Sequence, residues 1–91
     1  MAEQTDEARE NIARLREGID DIDRRIVALL NERAKLALAI RDLKPAVNWS
    51  LYDPKREEEI FENLTRSNDG PLFADGLREI YEAVLHVMKE L

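Results

Sequence analysis

Residues 12–43 read IARLREGIDDIDRRIVALLNERAKLALAIRDL, and their periodicity decides the fold. Ile12, Leu15, Ile19, Ile22, Ile26, Leu29, Arg33, Leu36, Ile40 and Leu43 follow one another at alternating steps of three and four. That spacing lines one face of a long amphipathic helix, a seam suited to meeting another helix. Nine of the ten positions are Ile or Leu, and the exception is Arg33. A guanidinium inside an apolar seam either finds an anion or destabilises the packing around it.

Working outward, the first helix is predicted over about residues 6–44, with 1–5 frayed and Thr5 as N-cap before Asp6 and Glu7. Gly18 is its one weak point, at about 1 kcal/mol relative to alanine. Such a helix is about 58 Å long at 1.5 Å per residue. Pro45 disfavours helical geometry at Lys44 and ends it. A loop follows over 45–53, in which Trp49 reads as a plug at the end of a core. Asp53-Pro54 then starts a second helix, over about 54–68, with aspartate as N-cap and proline at the first helical position. Glu57, Glu58 and Glu59 suit the positive end of its dipole, and Ile60, Phe61 and Leu64 give it an apolar face. Asp69-Gly70-Pro71 closes that helix. A third, over about 73–91, carries Leu77, Ile80, Tyr81, Val84, Leu85, Met88 and Leu91 on one face and leaves His86 to solvent. The expected fold is all-α, a single domain over 1–91 with one long helix and two shorter ones.

Composition narrows the function. Without cysteine there is no disulfide, thiolate metal site or cysteine nucleophile, and one histidine cannot build a multi-histidine metal centre. Fourteen Lys and Arg against 20 Asp and Glu give a net charge of −6, which argues against general nucleic-acid binding. A local cationic pocket is still compatible, because repulsion is screened over about 8–10 Å. The polar, acidic N-terminus is unlike a secretory signal and no apolar run spans a membrane, so a cytoplasmic protein is expected. A single chain of this size would leave much of the seam exposed, and two copies pairing their long helices would bury it by symmetry. A helical homodimer is therefore expected.

The chemistry sits in the cations. Arg33 and Lys44 are eleven residues apart, within about 20° of one helix face and about 16–17 Å along it, so two long side chains could bracket a small anion. Arg56 and Glu57 follow in the first turn of the second helix, and Glu57 aligns with Phe61 and Leu64, pointing inward. A lone cation on a helix is ordinarily a solvated face, and Glu57 among three glutamates is ordinarily dipole decoration. Arg33 escapes that reading because the repeat places it inside. Arg16 lies 17 residues before Arg33, about 25 Å along the axis and about 100° round it. One straight helix cannot bring both to one small molecule, whereas an antiparallel partner can supply Arg16.

LREGIDDIDRRIVALLNERAKLALAIRDLK followed by LYDPKREEEI resembles the all-α (type II) chorismate mutase family, well over about residues 12–64 and weakly over the third helix. The family pattern of an early arginine, a second 17 residues on, a lysine 11 further and an Asp-x-x-Arg-Glu helix start falls on Arg16, Arg33, Lys44, Asp53, Arg56 and Glu57 without a gap. The resemblance implies the Claisen rearrangement of chorismate to prephenate, in phenylalanine and tyrosine synthesis. It implies an intertwined homodimer sharing residues between its sites, and no cofactor or metal. Two arginines suit the dianionic substrate because their forks grip carboxylates. Holding the enolpyruvyl arm over the ring lowers the entropic barrier, and a cation at the ether oxygen stabilises charge that grows as the C–O bond breaks. By resemblance Lys44 has that role, Arg33 and Arg16 grip carboxylates, Glu57 accepts from the ring hydroxyl beside Asp53, and Arg56 organises the carboxylate end or its support.

The third helix departs from the family. Met88 stands where a small polar residue is usual, and the glutamine that donates a second hydrogen bond to the ether oxygen would fall at about residue 92. Glu90 replaces it poorly unless protonated. The family's glycine three residues before Lys44 is Arg41, and Pro45 directly after Lys44 is unusual. Three explanations compete: one domain of a longer polypeptide, a mutase of lower activity or completed by a partner enzyme, and a fold that has lost the reaction. A working mutase of reduced rate is expected. The alternatives are an isochorismate-pyruvate lyase on the same scaffold and a non-catalytic helical dimer that regulates another enzyme of the pathway.

Overall fold

The computed structural model describes residues 2–47 and 53–91, so Trp49 and its expected plugging role lie outside the described residues. Helix α1 spans Ala2–Leu43, a 3-10 turn spans Lys44–Val47, α2 spans Pro54–Ser67 and α3 spans Ala74–Lys89. There is no strand among the described residues.

Helix α1 begins at Ala2, so the stretch before Asp6 is helical rather than frayed and Thr5 lies inside the helix. Ala2, Glu3 and Gln4 are all good helix formers, and Glu3 sits favourably in the first turn. At the other end the α-helix stops at Leu43, one residue before the expected boundary. Lys44 and Pro45 continue as a 3-10 turn, which keeps the chain coiled at a tighter pitch. The 100° step that carries the apolar face along α1 therefore does not extend to Lys44.

Helix α2 starts as its Asp-Pro pair dictates, with Asp53 as N-cap and Pro54 at the first helical position. It ends at Ser67, with Asn68 as C-cap. The Asn68 side chain accepts from the Gly70 N–H at 3.0 Å and donates to the Leu72 carbonyl at 2.9 Å. Gly70 has φ 83°, a left-handed conformation that glycine adopts without a Cβ clash. Helix α3 is a residue shorter at its start and two at its end than its sequence pattern suggests.

Internal contacts divide the chain into two units, Met1–Lys35 and Leu36–Leu91. The first is the N-terminal part of α1 alone. Its seam residues are exposed, Leu15 at 68% and Ile19 at 56% among them, and its ion pairs (Arg9 with Asp6, Arg24 with Asp21) lie on its own surface one turn apart. In the second unit α2 and α3 pack together. Phe61, Leu64, Leu77, Tyr81, Val84 and Met88 are half-buried, and Ile80, expected on the same face, is exposed. The Arg78 guanidinium lies 4.1 Å from the Phe61 ring centroid and is held by Glu82 at 3.2 Å, a cation–π contact on the outside of this pair.

Leu85 is buried, and no other described residue is. Truncating it removes the best-packed side chain of the α2–α3 unit. Leu85→Ala is expected to cost about 2–5 kcal/mol, read as a shift in the urea midpoint at fixed protein concentration. Exposed Ile80→Ala, measured alongside, is expected to cost less.

Candidate active site

The structure gathers three of the six sequence-predicted residues in the first turn of α2. The Asp53 carboxylate accepts from the Arg56 N–H at 3.0 Å, and the Asp53 carbonyl accepts from the Glu57 N–H at 3.2 Å. One residue thus satisfies the Arg56 amide, which the helix start leaves without an intrahelical partner, and accepts the first intrahelical bond, from Glu57. Pro54 has no amide hydrogen to satisfy and arrives with φ already near its helical value. This cap fixes the backbone at two adjacent candidate positions.

Adjacent positions on a helix differ by about 100°, and the two side chains diverge accordingly. Arg56 is exposed and pairs with Glu59 at 3.4 Å along its own helix. Glu57 is 26% exposed and forms an ion pair with Lys89, the last residue of α3. The inward direction expected for Glu57 is the one observed, and it brings a cation that the sequence pattern did not single out. Lys44, half-buried, opens the 3-10 turn.

Arg16 and Arg33 both belong to the first unit. They stand on one continuous helix, about 25 Å apart along its axis. Arg16 is exposed and Arg33 half-buried, and neither has an ion-pair partner among the described residues. Both are cations of an amphipathic helix that also carries many carboxylates. Within one chain they cannot both reach the same small molecule.

The end of α3 holds what sequence reasoning missed. The Arg41 guanidinium, on α1's last turn, donates to the Leu91 carbonyl just past α3. A cation there also suits the negative end of the α3 dipole. Glu90 pairs with His86 at 3.0 Å, and both side chains are about 70% exposed. His86 is thus solvated, as its place off the apolar stripe predicts, and it holds Glu90 on the exposed face. The one available signal was Arg41 itself, a long cation where the pattern has glycine. Lys89 gave none, being one more charge at the end of an acidic and basic helix. Among the described residues, no three His, Asp or Glu side chains form a group that could hold a metal ion.

Long helix, Asp-Pro-capped second helix and packed third helix define an all-α protein. Residues 15–91 match the family described as chorismate mutase type II, and the chain belongs to that family. It is 40% identical over 88 residues to the bifunctional chorismate mutase/prephenate dehydratase of Aquifex aeolicus, covering 90% of this chain and 22% of that protein. Against the chorismate mutase of Methanocaldococcus jannaschii it is 33% identical over 57 residues, covering 63% of this chain and 58% of that protein. The chain thus spans about a fifth of the first of these relatives and under two thirds of the second. Among solved structures, chorismate mutase (Form II) from Thermus thermophilus superposes with a TM-score of 0.86 at 34% identity, covering 89% of this chain and 92% of that one.

The cap makes a separable prediction. Asp53→Ala is expected to destabilise the protein by about 1 kcal/mol, and Asp53→Asn by much less, because asparagine caps equally well. Thermal unfolding followed by circular dichroism distinguishes the two.

Proposed function

We propose that this chain is a chorismate mutase, rearranging chorismate to prephenate in phenylalanine and tyrosine synthesis. The observation that carries the proposal is the multipoint register of Arg16, Arg33, Lys44, Asp53, Arg56 and Glu57, inside a chain whose family match runs over residues 15–91. The names of the Aquifex and Methanocaldococcus relatives support it. A cytoplasmic enzyme working without cofactor or metal is part of this reading, and no helix among the described residues is long and apolar enough to cross a membrane.

The rearrangement is unimolecular, so the protein's task is to hold and to stabilise. Arg33, with Arg16 from a second copy, grips the two carboxylates of the substrate by bidentate hydrogen bonds. That grip fixes the enolpyruvyl arm over the ring, the geometry in which the new C–C bond forms. Lys44 donates to the ether oxygen as the C–O bond breaks, acting most strongly where negative charge has grown. Glu57 accepts a hydrogen bond from the ring hydroxyl, on a backbone set by Asp53, and Arg56 with Glu59 supports that turn from outside.

The active form is proposed to be an intertwined homodimer in which residues 1–91 act as one domain. Its support is the exposed seam: Ile12, Leu15, Ile19, Ile22, Ile26, Leu29, Leu36, Ile40 and Leu43 are all large, apolar and exposed. Burying each gives about 1.5–3 kcal/mol, so pairing two such helices has ample driving force. The same pairing brings Arg16 of one chain toward Arg33 of the other. Fusion to, or association with, another enzyme of the pathway is compatible with the bifunctional Aquifex relative.

The test is conversion of chorismate, followed by loss of its absorbance and appearance of prephenate. Arg33→Leu is expected to lower kcat/KM by at least about 10³ while leaving the dimer as stable or more so, since an unpaired charge leaves the seam. Near-normal activity in that variant would remove Arg33 from the site. Pyruvate released from isochorismate, with chorismate untouched, would instead identify a lyase. No turnover of either substrate by the wild-type dimer would identify a non-catalytic binding protein.

Mixing supplies the test of sharing. Inactive Arg16→Ala and inactive Arg33→Ala, allowed to exchange subunits, are expected to recover up to about a quarter of wild-type activity, because each hybrid dimer regains one intact site of two. Absence of recovery after verified exchange would contradict the shared site.

A further inference from the structure

We infer that Lys89 is a positioning residue for Glu57, a role created by the fastening of the α3 terminus in this chain; the inference rests on the proposed mutase reading of Glu57. The two side chains come from the start of one helix and the end of the other, which the packing of α2 on α3 brings together. Glu57 stands in the first turn of α2 and Lys89 is the last residue of α3. Their charged atoms meet at Glu57 Oε1, leaving Oε2 as the second acceptor.

A carboxylate has two oxygens and about four acceptor sites, whereas an ammonium donates three hydrogens and accepts none. Lys89 therefore cannot take over the acceptor role toward a substrate hydroxyl. It can hold Oε1 and so fix the plane in which Oε2 is presented. Glu57 is 26% exposed and Lys89 52%, so the pair lies at the edge of solvent, screened on one side only. Its effect is on direction more than on stability, since exposed pairs contribute little to folding.

The position of Lys89 is itself secured. Arg41 binds the Leu91 carbonyl two residues beyond it, fastening the end of α3 to the last turn of α1. His86 holds Glu90 on the exposed face, so the neighbouring carboxylate does not compete with Glu57 for the ammonium. Arg41, Lys89 and Glu57 all lie in the unit Leu36–Leu91. Arginine at position 41, where the family pattern has glycine, thus belongs to the same arrangement as the Lys89–Glu57 pair.

Lys89→Met, Lys89→Arg, Glu57→Ala and the double variant Glu57→Ala/Lys89→Met test this in the chorismate assay, with kcat and KM resolved separately. Lys89→Met is expected to lower kcat about tenfold with KM changed less than about twofold, the pattern of a contact that matters in the transition state. Lys89→Arg restores kcat to within about threefold, because a guanidinium also holds one carboxylate oxygen. In the Glu57→Ala background, Lys89→Met is expected to have no further effect on kcat, since the inferred catalytic effect of Lys89 passes through Glu57. Multiplicative losses in the double variant, a rise in KM alone, or failure of the arginine rescue would each overturn the inference. A wild-type kcat in Glu57→Ala would instead overturn the underlying reading of Glu57. An impaired Glu57→Ala beside a normal Lys89→Met would overturn the role of Lys89 alone. Far-ultraviolet circular dichroism of each variant keeps a folding loss from being read as a catalytic one.

Discussion

An apolar stripe that runs the length of α1 has to be covered, and this requirement governs the rest of the molecule. Ile and Leu at alternating steps of three and four keep one face of a 42-residue helix hydrophobic throughout. Helices α2 and α3 together supply 14 and 16 residues, and in the structure of the single chain the stripe remains open to solvent. Water's exclusion from that surface is the largest favourable term available to the protein. A second copy would satisfy it with no additional sequence, because each chain offers the same stripe.

Placing a functional cation in such a stripe has a physical logic. In the proposed dimer Arg33 would weaken the apolar contact when unpaired, and the same low-dielectric surroundings would strengthen its grip on an incoming carboxylate. On the proposed reading, some stability of the free protein is exchanged for binding of a dianion. At α2 the arrangement is different. There a helix cap, not an interface, provides precision: Asp53 binds the amides of Arg56 and Glu57, and the 100° step between them sends one side chain outward and the other toward α3. A strained or mobile loop could not hold adjacent residues in such distinct directions.

Much of this is legible in the residues. The long helix follows from its repeat, α2 from Asp53-Pro54, and the exposure of His86 from its place off the apolar face. What the sequence obscures has physical causes. The start of α1 reads too late because Thr5 resembles a cap, while the helix-forming residues before it carry the helix back to Ala2. Its end reads one residue too far because Pro45 permits a 3-10 turn at Lys44 as readily as a loop. The Lys89–Glu57 pair is invisible because it joins residues 32 apart, and no local periodicity encodes a contact set by the packing of two helices. Arg41 stands out only as a missing glycine; its long reach to the Leu91 carbonyl emerges from the fold.

The central claim is that the exposed seam of α1 pairs two copies of the chain. Sedimentation equilibrium over a wide dilution range, with helix content measured on the same samples by circular dichroism, tests it most directly. The predicted result is a species of twice 10.6 kDa at micromolar concentration, whose helix content falls as dilution drives dissociation. A monomer that keeps its full helix content and cooperative unfolding at every concentration would contradict it.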